Sequence, residues 1–313
     1  MKPMLASDAV EEKIAFPCIA QPKIDGVRAL HTEGYLTGRS LKTHANKHVT
    51  EYFSDPAFAG FDGEMAAAFE CNSDLCRTTT SALSTIEGTP WVLWHVFDYL
   101  TPATSSLPYL QRHNAMVHRV HELTQTHPHF AEHLKIVPRT LCNNLQELLQ
   151  CDDMWLDMGY EGTIVRKPEG LHKQGRSTVR EGGLLRIKRF IDAEARVLRI
   201  IEGQANLNKA QVNELGKQFR SSHQENKVPN GMVGAMECEL LDNVVNHAGE
   251  VLFQKGQIVT VSAGSMDHMD RLRYFKQQEL LLGNVIKFKT FPHGCKDKPR
   301  FPVFQTLRSL NDM

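Results

Sequence analysis

Apolar and polar positions change rhythm along the chain. Val27 to Glu33, Trp91 to Asp98 and Gly162 to Lys167 are short runs rich in β-branched or aromatic residues and read as strands. Around 107–125 and 143–158 apolar residues recur at helical spacing; in the second stretch Leu145, Leu148 and Leu149 share a face, Met154 and Trp155 follow, and Gly159 stops the pattern. After Phe190 the texture differs. Ala195 to Ile201, Ala235 to Leu241, Gln257 to Ser262 and Val285 to Phe288 are short strand-like runs separated by Gly, Asn and Asp, the pattern of a small β-barrel. Between Gly203 and Gly231 lies a polar stretch poor in large apolar residues. It reads as an inserted surface loop, partly helical around Ala210 to Phe219. These changes set a boundary near 189–191 and divide the chain into domains 1–190 and 191–313, with the insertion near 203–231.

Composition sharpens this picture only in places. At 313 residues the chain can bury two modest cores. It has no apolar run of the roughly 18 residues that a membrane helix needs, and its start lacks the apolar stretch of a secretory signal. A membrane partner is not expected, and a cytoplasmic location, in a bacterium or an infected host cell, is. The seven cysteines form no regular framework and read as buried free thiols. His127, His129 and His133 have no Cys-x-x-Cys nearby and read as a solvated loop, not a zinc site. The formal net charge is zero, so the surface as a whole is no polyanion binder. Between Arg271 and Arg300, however, eight basic residues face only Glu279 and Asp297, which suits a local phosphate-binding face.

The candidate chemistry begins at Lys23-Ile24-Asp25-Gly26-Val27-Arg28, after the strand-like Cys18-Ile19-Ala20. A lysine beside an Asp-Gly turn stands where a strand ends and can project into a cleft; the same residues would also serve as a hairpin turn with solvated charges. Further pieces follow in order. Thr37-Gly38-Arg39-Ser40 supplies a cation after a second turn, and Phe61-Asp62-Gly63-Glu64-Met65 sets a carboxylate on a strand. Val96-Phe97-Asp98-Tyr99-Leu100 ends the most apolar strand with an aromatic. Glu161-Gly162-Thr163-Ile164-Val165-Arg166-Lys167 repeats the carboxylate–glycine–strand design, and Leu184-Leu185-Arg186-Ile187-Lys188 puts Arg186 and Lys188 on one strand face.

This ordered set resembles the motifs of the covalent nucleotidyltransferase superfamily, which holds DNA ligases, RNA ligases and mRNA-capping enzymes. The resemblance spans nearly the whole chain and is nearest to short ATP-dependent DNA ligases of the bacteriophage type. The opening Lys2-Pro3-Met4-Leu5-Ala6, the ending Lys298-Pro299-Arg300-Phe301-Pro302-Val303-Phe304, and the insertion with His223-Gln224-Glu225-Asn226 and Val228-Pro229 carry that finer likeness. It implies an α+β fold: an adenylation domain of antiparallel sheets with helices, then a small OB-fold barrel. It implies ATP and Mg²⁺ as cofactors, nicked duplex DNA as partner, and a monomer that seals 5′-phosphate/3′-hydroxyl nicks through a lysyl-AMP and a DNA-adenylate.

Residue by residue, the resemblance makes Lys23 the nucleophile that carries AMP, with Arg186 and Lys188 as its catalytic companions. Arg186 stands where a lysine is commoner, and a guanidinium keeps both the charge and the capacity to bind phosphate. Glu161 is the first candidate for the metal and Glu64 the second. Glu64 and Arg39 match positions that contact the ribose or the nick, although they could also pair with each other. Phe97 matches the aromatic that stacks on adenine, Gln21 could read the adenine edge, and Arg28 completes the nucleotide set. Arg300 substitutes for the missing arginine–aspartate–lysine ending in orienting pyrophosphate. Lys209, Lys217, Arg220 and Lys227 in the insertion are expected to neutralise DNA phosphates. Two rivals stay open: an RNA ligase or capping guanylyltransferase, and, from another class, a non-catalytic OB-fold nucleic-acid binding protein.

Overall fold

A computed structural model describes residues 1–308. It divides into two compact units, Met1–Lys188 and a second from Arg189 onward. The fold is α+β. No helix among the described residues is long and apolar enough to cross a membrane.

The first unit holds two five-stranded sheets. One runs in the order Tyr35–Gly38, Val27–Thr32, Phe61–Ala66, Leu93–Tyr99, Leu134–Ile136, antiparallel except for its last pair. That parallel pair is joined through the helix Tyr109–Thr126, whose Met116 and Leu123 pack on Phe58, Phe61 and Trp94 of the sheet's core. The other sheet runs Ser7–Asp8, Leu185–Ile187, Thr163–Arg166, Cys18–Pro22, Thr140–Cys142. Its inner face (Cys18, Ala20, Val165, Leu185) is covered by the helix Leu145–Asp157.

That helix shows how local signals set an element. Asn144 accepts a bond from the Glu147 amide (2.9 Å) and Glu147 accepts one from the Asn143 amide (2.8 Å), so two donors at the helix start are satisfied. The buried face is Leu148, Asp152 and Trp155, while Met154 is exposed. A polar Asp152 can lie inside because its carboxylate accepts a 2.6 Å bond from the Thr163 hydroxyl, which ties the helix to the strand beside Glu161. All seven cysteines are free, with Cys18, Cys142 and Cys238 buried. His127 and His129 are exposed.

In the second unit five strands close into a barrel: Ile191–Asn206, Lys227–Leu240, Ile258–Ser262, Arg300–Leu307, Val285–Phe291, and back to the first. Third and last strands pair in parallel through Ser262 and Val303, all other neighbours are antiparallel, and the helix His268–Lys276 lies between the third and fourth strands in sequence. In chain order this is the 1-2-3-5-4 closure of an OB-type barrel. Its core is Val197, Met236, Val261, Ile286 and Phe288 with their neighbours.

The insertion differs from its expected form. Instead of a loop with a helical stretch at Ala210 to Phe219, the first two barrel strands run on as a hairpin (Gln204 pairs with Pro229, Asn206 with Lys227), capped by a ribbon of Ala210–Val212 against Gln218–Arg220. The reason is turn chemistry. Asn213 Oδ1 accepts from the amides of Leu215 (3.1 Å) and Lys217 (2.9 Å), and Gly216 takes φ +72, which reverses the chain where a helix would need to continue.

Candidate active site

Lys23 follows the end of the Cys18–Pro22 strand, and two backbone bonds carry the ladder past that end. Lys23 N donates to the Gly162 carbonyl (2.8 Å), and Glu161 N donates to the Lys23 carbonyl (3.1 Å). The register that sets Pro22 opposite Thr163 thus brings Lys23 against Glu161. Their side chains meet as an ion pair, and the other Glu161 oxygen pairs with Lys188 Nζ. Gly162 makes this closeness possible: at φ +150, a Cβ there would stand 2.4 Å from the Ile187 carbonyl oxygen.

Glu161 is 1% exposed. Burial alone would raise its carboxyl, but the Lys23 and Lys188 ammonium groups outweigh burial and hold it down to about 2. Lys188 is itself lowered, first by burial and then by the Lys23 and Arg186 charges, against the pull of Glu161. The neighbouring strand positions Gln21, Ile164 and Arg186 form one row across the sheet. In the other sheet the register sets Glu64 beside Arg28. Burial pushes the Glu64 carboxyl up to about 7, opposed by Lys23 and Arg28 and helped by Glu161 and Asp25.

These groups surround a pocket of about 170 Å³ within the first unit. Gln21, Lys23, Arg28, Arg39, Glu64, Phe97 and Arg186 all line it. Glu161 and Lys188 join them through the ion pair with Lys23. Six lining side chains are cationic (Lys23, Arg28, Arg39, Arg166, Arg176, Arg186) and one is acidic, so the pocket suits an anionic ligand. No ion pair joins Arg39 to Glu64 among the described residues; Arg39 is exposed and Glu64 responds to Lys23 and Arg28 instead. For a metal, no group of three or more His, Cys, Asp or Glu is gathered among the described residues. The two carboxylates Glu161 and Glu64 beside a cationic pocket fit an Mg²⁺ ion brought in on substrate phosphates.

No protein-family model and no curated protein matches the chain. Among solved structures it is similar to Chlorella virus DNA ligase-adenylate: 29% identity over 98% of this chain and 99% of that one, with a TM-score of 0.52. A second structure of that ligase-adenylate gives 29% identity, 99% and 98% coverage, and a TM-score of 0.53. The chain thus resembles DNA ligases, which are enzymes, along nearly its whole length. A Lig E DNA ligase has the same fold at a TM-score of 0.69, with 19% identity over 98% of this chain and 99% of that one.

Several groups around the pocket carry no role expected from the sequence. Asp8 accepts from Arg186 Nε (2.6 Å), because the short strand Ser7–Asp8 runs parallel to Leu185–Ile187. Asp62 holds Arg28 in a fork (2.6 and 2.7 Å), which lays the guanidinium over the Phe97 ring at 4.6 Å. Arg166 also faces Phe97, at 5.1 Å, and is itself held by Asp98 (3.1 Å). Asp98 grips Arg112 through two more bonds (2.8 and 3.0 Å), and despite burial these cations hold its carboxyl down to about 2. Leu5 and Ala6 line the pocket, and Arg176 Nη1 donates to the Ala6 carbonyl, so the opening segment is part of the wall. The signal for Asp98 was available: a carboxylate within an apolar strand must find cations.

The remaining candidates lie in the second unit. Arg300 donates to the His293 carbonyl (3.0 Å) and stacks on Phe291 and Phe301. Lys209, Lys217 and Arg220 are exposed on the ribbon, and Lys227 is half-buried at its base. Of the C-terminal cations, Arg271 donates to the Val233 carbonyl (2.7 Å) and Lys287 pairs with Asp192 (2.7 Å).

Proposed function

We propose that the chain seals 5′-phosphate/3′-hydroxyl nicks in duplex DNA, using ATP and an AMP carried on Lys23. The observation that supports this most is the Lys23–Glu161–Lys188 bridge at the wall of a pocket whose charge is overwhelmingly positive. In the first step Lys23 Nζ, having lost a proton to solvent, attacks the α-phosphorus of ATP; a P–N bond forms and pyrophosphate leaves with the electrons of the broken P–O bond. Next, the DNA 5′-phosphate oxygen attacks the same phosphorus, the P–N bond breaks and lysine is regenerated. The 3′-hydroxyl then attacks the 5′-phosphorus and AMP leaves.

The side chains divide this work by their environments. Glu161, ionised down to about pH 2, is a poor proton acceptor, so its part is to orient Lys23. Arg186 and Lys188 offset phosphate charge at the reacting centre. Phe97, backed by Arg28 and Arg166, offers a ring on which the adenine stacks. Arg39 and Glu64 reach the sugar or the nick. Mg²⁺, when bound, would be held by Glu161 first, since Glu64 titrates near neutrality, and would supply charge neutralisation for the phosphates. Arg300 orients the leaving pyrophosphate, and Lys209, Lys217, Arg220 and Lys227 take up DNA phosphates.

Sealing of a nicked DNA duplex and of a nicked RNA duplex, each with ATP and Mg²⁺, tests the reading. Preference for the DNA nick, abolished by Lys23→Ala, is expected. Sealing of RNA alone, or covalent labelling from GTP but not ATP, would move the chain to another branch of the superfamily.

A further inference from the structure

A guanidinium can meet anions side-on through Nε or end-on through its paired Nη groups. Arg186 uses only the first. Its Nε donates to Asp8 Oδ1 at 2.6 Å, and no other hydrogen bond or ion pair holds its side chain among the described residues. Arg186 lines the pocket and Asp8 does not, so the carboxylate grips the guanidinium from outside the cavity and leaves the Nη hydrogens for a ligand. An exposed ion pair holds little by itself, and here the side chains are 69% (Asp8) and 32% (Arg186) exposed. What fixes this one is the backbone. Asp8 stands in register with Arg186 on parallel strands. Ala9 N donates to the Arg186 carbonyl (2.9 Å), Ser7 N to the Leu184 carbonyl (3.4 Å), and the Ser7 hydroxyl to the Ser177 carbonyl. Main-chain bonds on either side of Asp8 thus deliver its carboxylate to Arg186. The bond from Arg186 holds the Asp8 carboxyl below its ordinary range, so it is ionised at neutral pH.

We propose that Asp8 is a positioning residue, which fixes the Arg186 guanidinium by its Nε edge so that the Nη pair faces the pocket and binds two oxygens of one phosphate. The proposal rests on the reading of Arg186 as a phosphate-binding group. It also makes the pair specific to arginine. A planar guanidinium binds a carboxylate and a phosphate at once, on separate edges. A lysine has a single nitrogen, so the same carboxylate would occupy the charge that the phosphate needs. Lys188, two residues on, shows that arrangement: its Nζ pairs with Glu161.

The experiment measures AMP transfer to the full chain from ATP with Mg²⁺, over a range of ATP concentrations, with urea midpoints as a check on folding. The variants are Asp8→Ala, Asp8→Asn, Arg186→Lys and the double variant Asp8→Ala/Arg186→Lys. Asp8→Ala should lower kcat on the order of tenfold, with KM for ATP less affected, because the fork loses its orientation. Asp8→Asn keeps an acceptor oxygen for Nε and should stay near the wild-type rate. Arg186→Lys should be slow, and adding Asp8→Ala should make it faster, since the ammonium is then released from the carboxylate. A gain in rate from both Asp8→Ala and Asp8→Asn would show that Asp8 only masks charge, and would overturn the proposal. So would an equal loss from Asp8→Ala with either residue at position 186, which marks a merely structural role. Wild-type transfer by Arg186→Ala would instead remove the reading of Arg186, and the proposal with it.

Discussion

Replacing Gly162 by alanine tests whether the active geometry depends on the close approach of two strands. The added Cβ would stand 2.4 Å from the Ile187 carbonyl oxygen, where ordinary contact begins at 3.4 Å, so about 1 Å of movement is required. That movement falls on the Lys23–Glu161–Lys188 bridge: Gly162 receives the Lys23 amide, follows Glu161, and lies against the residue before Lys188. Forcing a side chain to φ +150 costs about 1–3 kcal/mol by itself. A misplacement of about 1 Å costs on the order of 100-fold in rate. Gly88→Ala provides the control, because Gly88 also has a positive φ (+97) but nothing within 4 Å of its would-be Cβ. Urea denaturation and single-turnover AMP transfer should show both variants destabilised, and only Gly162→Ala slowed about 100-fold. Equal rates for Gly162→Ala and Gly88→Ala would refute the reasoning.

Asp98→Asn should destabilise the first unit by about 3–5 kcal/mol, because two buried guanidiniums lose their counter-charge; a urea midpoint within error of the wild type would contradict this. Asp98 also predicts acid sensitivity. Its folded carboxyl lies at about 2 against an ordinary 3.8, so it contributes about 2 kcal/mol above pH 4, a contribution lost as pH falls from 4 through 2 and absent in Asp98→Asn. In the second unit, changing Lys209, Lys217, Arg220 and Lys227 together to alanine should flatten the salt dependence of nicked-DNA binding by about 0.9 in log–log slope for each side chain that meets a phosphate. An unchanged slope would take the ribbon out of the DNA interface.

The parts of the fold legible in the sequence were those set by local chemistry. The strands around Val27, Trp94 and Val165 and the helices Tyr109–Thr126 and Leu145–Asp157 follow from β-branched runs, apolar spacing and an Asn cap, so they appear within a few residues of their expected bounds. Seven residues singled out by the resemblance to the nucleotidyltransferase motifs line one pocket. What stayed hidden depends on register between distant segments. Asp8 meets Arg186 only because a two-residue strand pairs in parallel, and Tyr109 meets Gln21 only because a helix packs across the sheet. The last barrel strand, Arg300–Leu307, carries Pro302 and a positive φ at Phe301, both of which obscure a strand until its neighbours are known. In the ribbon, Asn213 and Gly216 overrode an apparently helical composition.

Mass spectrometry of the purified chain after incubation with ATP and Mg²⁺, followed by peptide mapping, addresses the central claim most directly. An adenylyl group on the peptide that contains Lys23, lost on addition of pyrophosphate or nicked DNA, is the predicted result. An adduct on any other residue, or an unmodified chain under conditions where nicks are sealed, would contradict it.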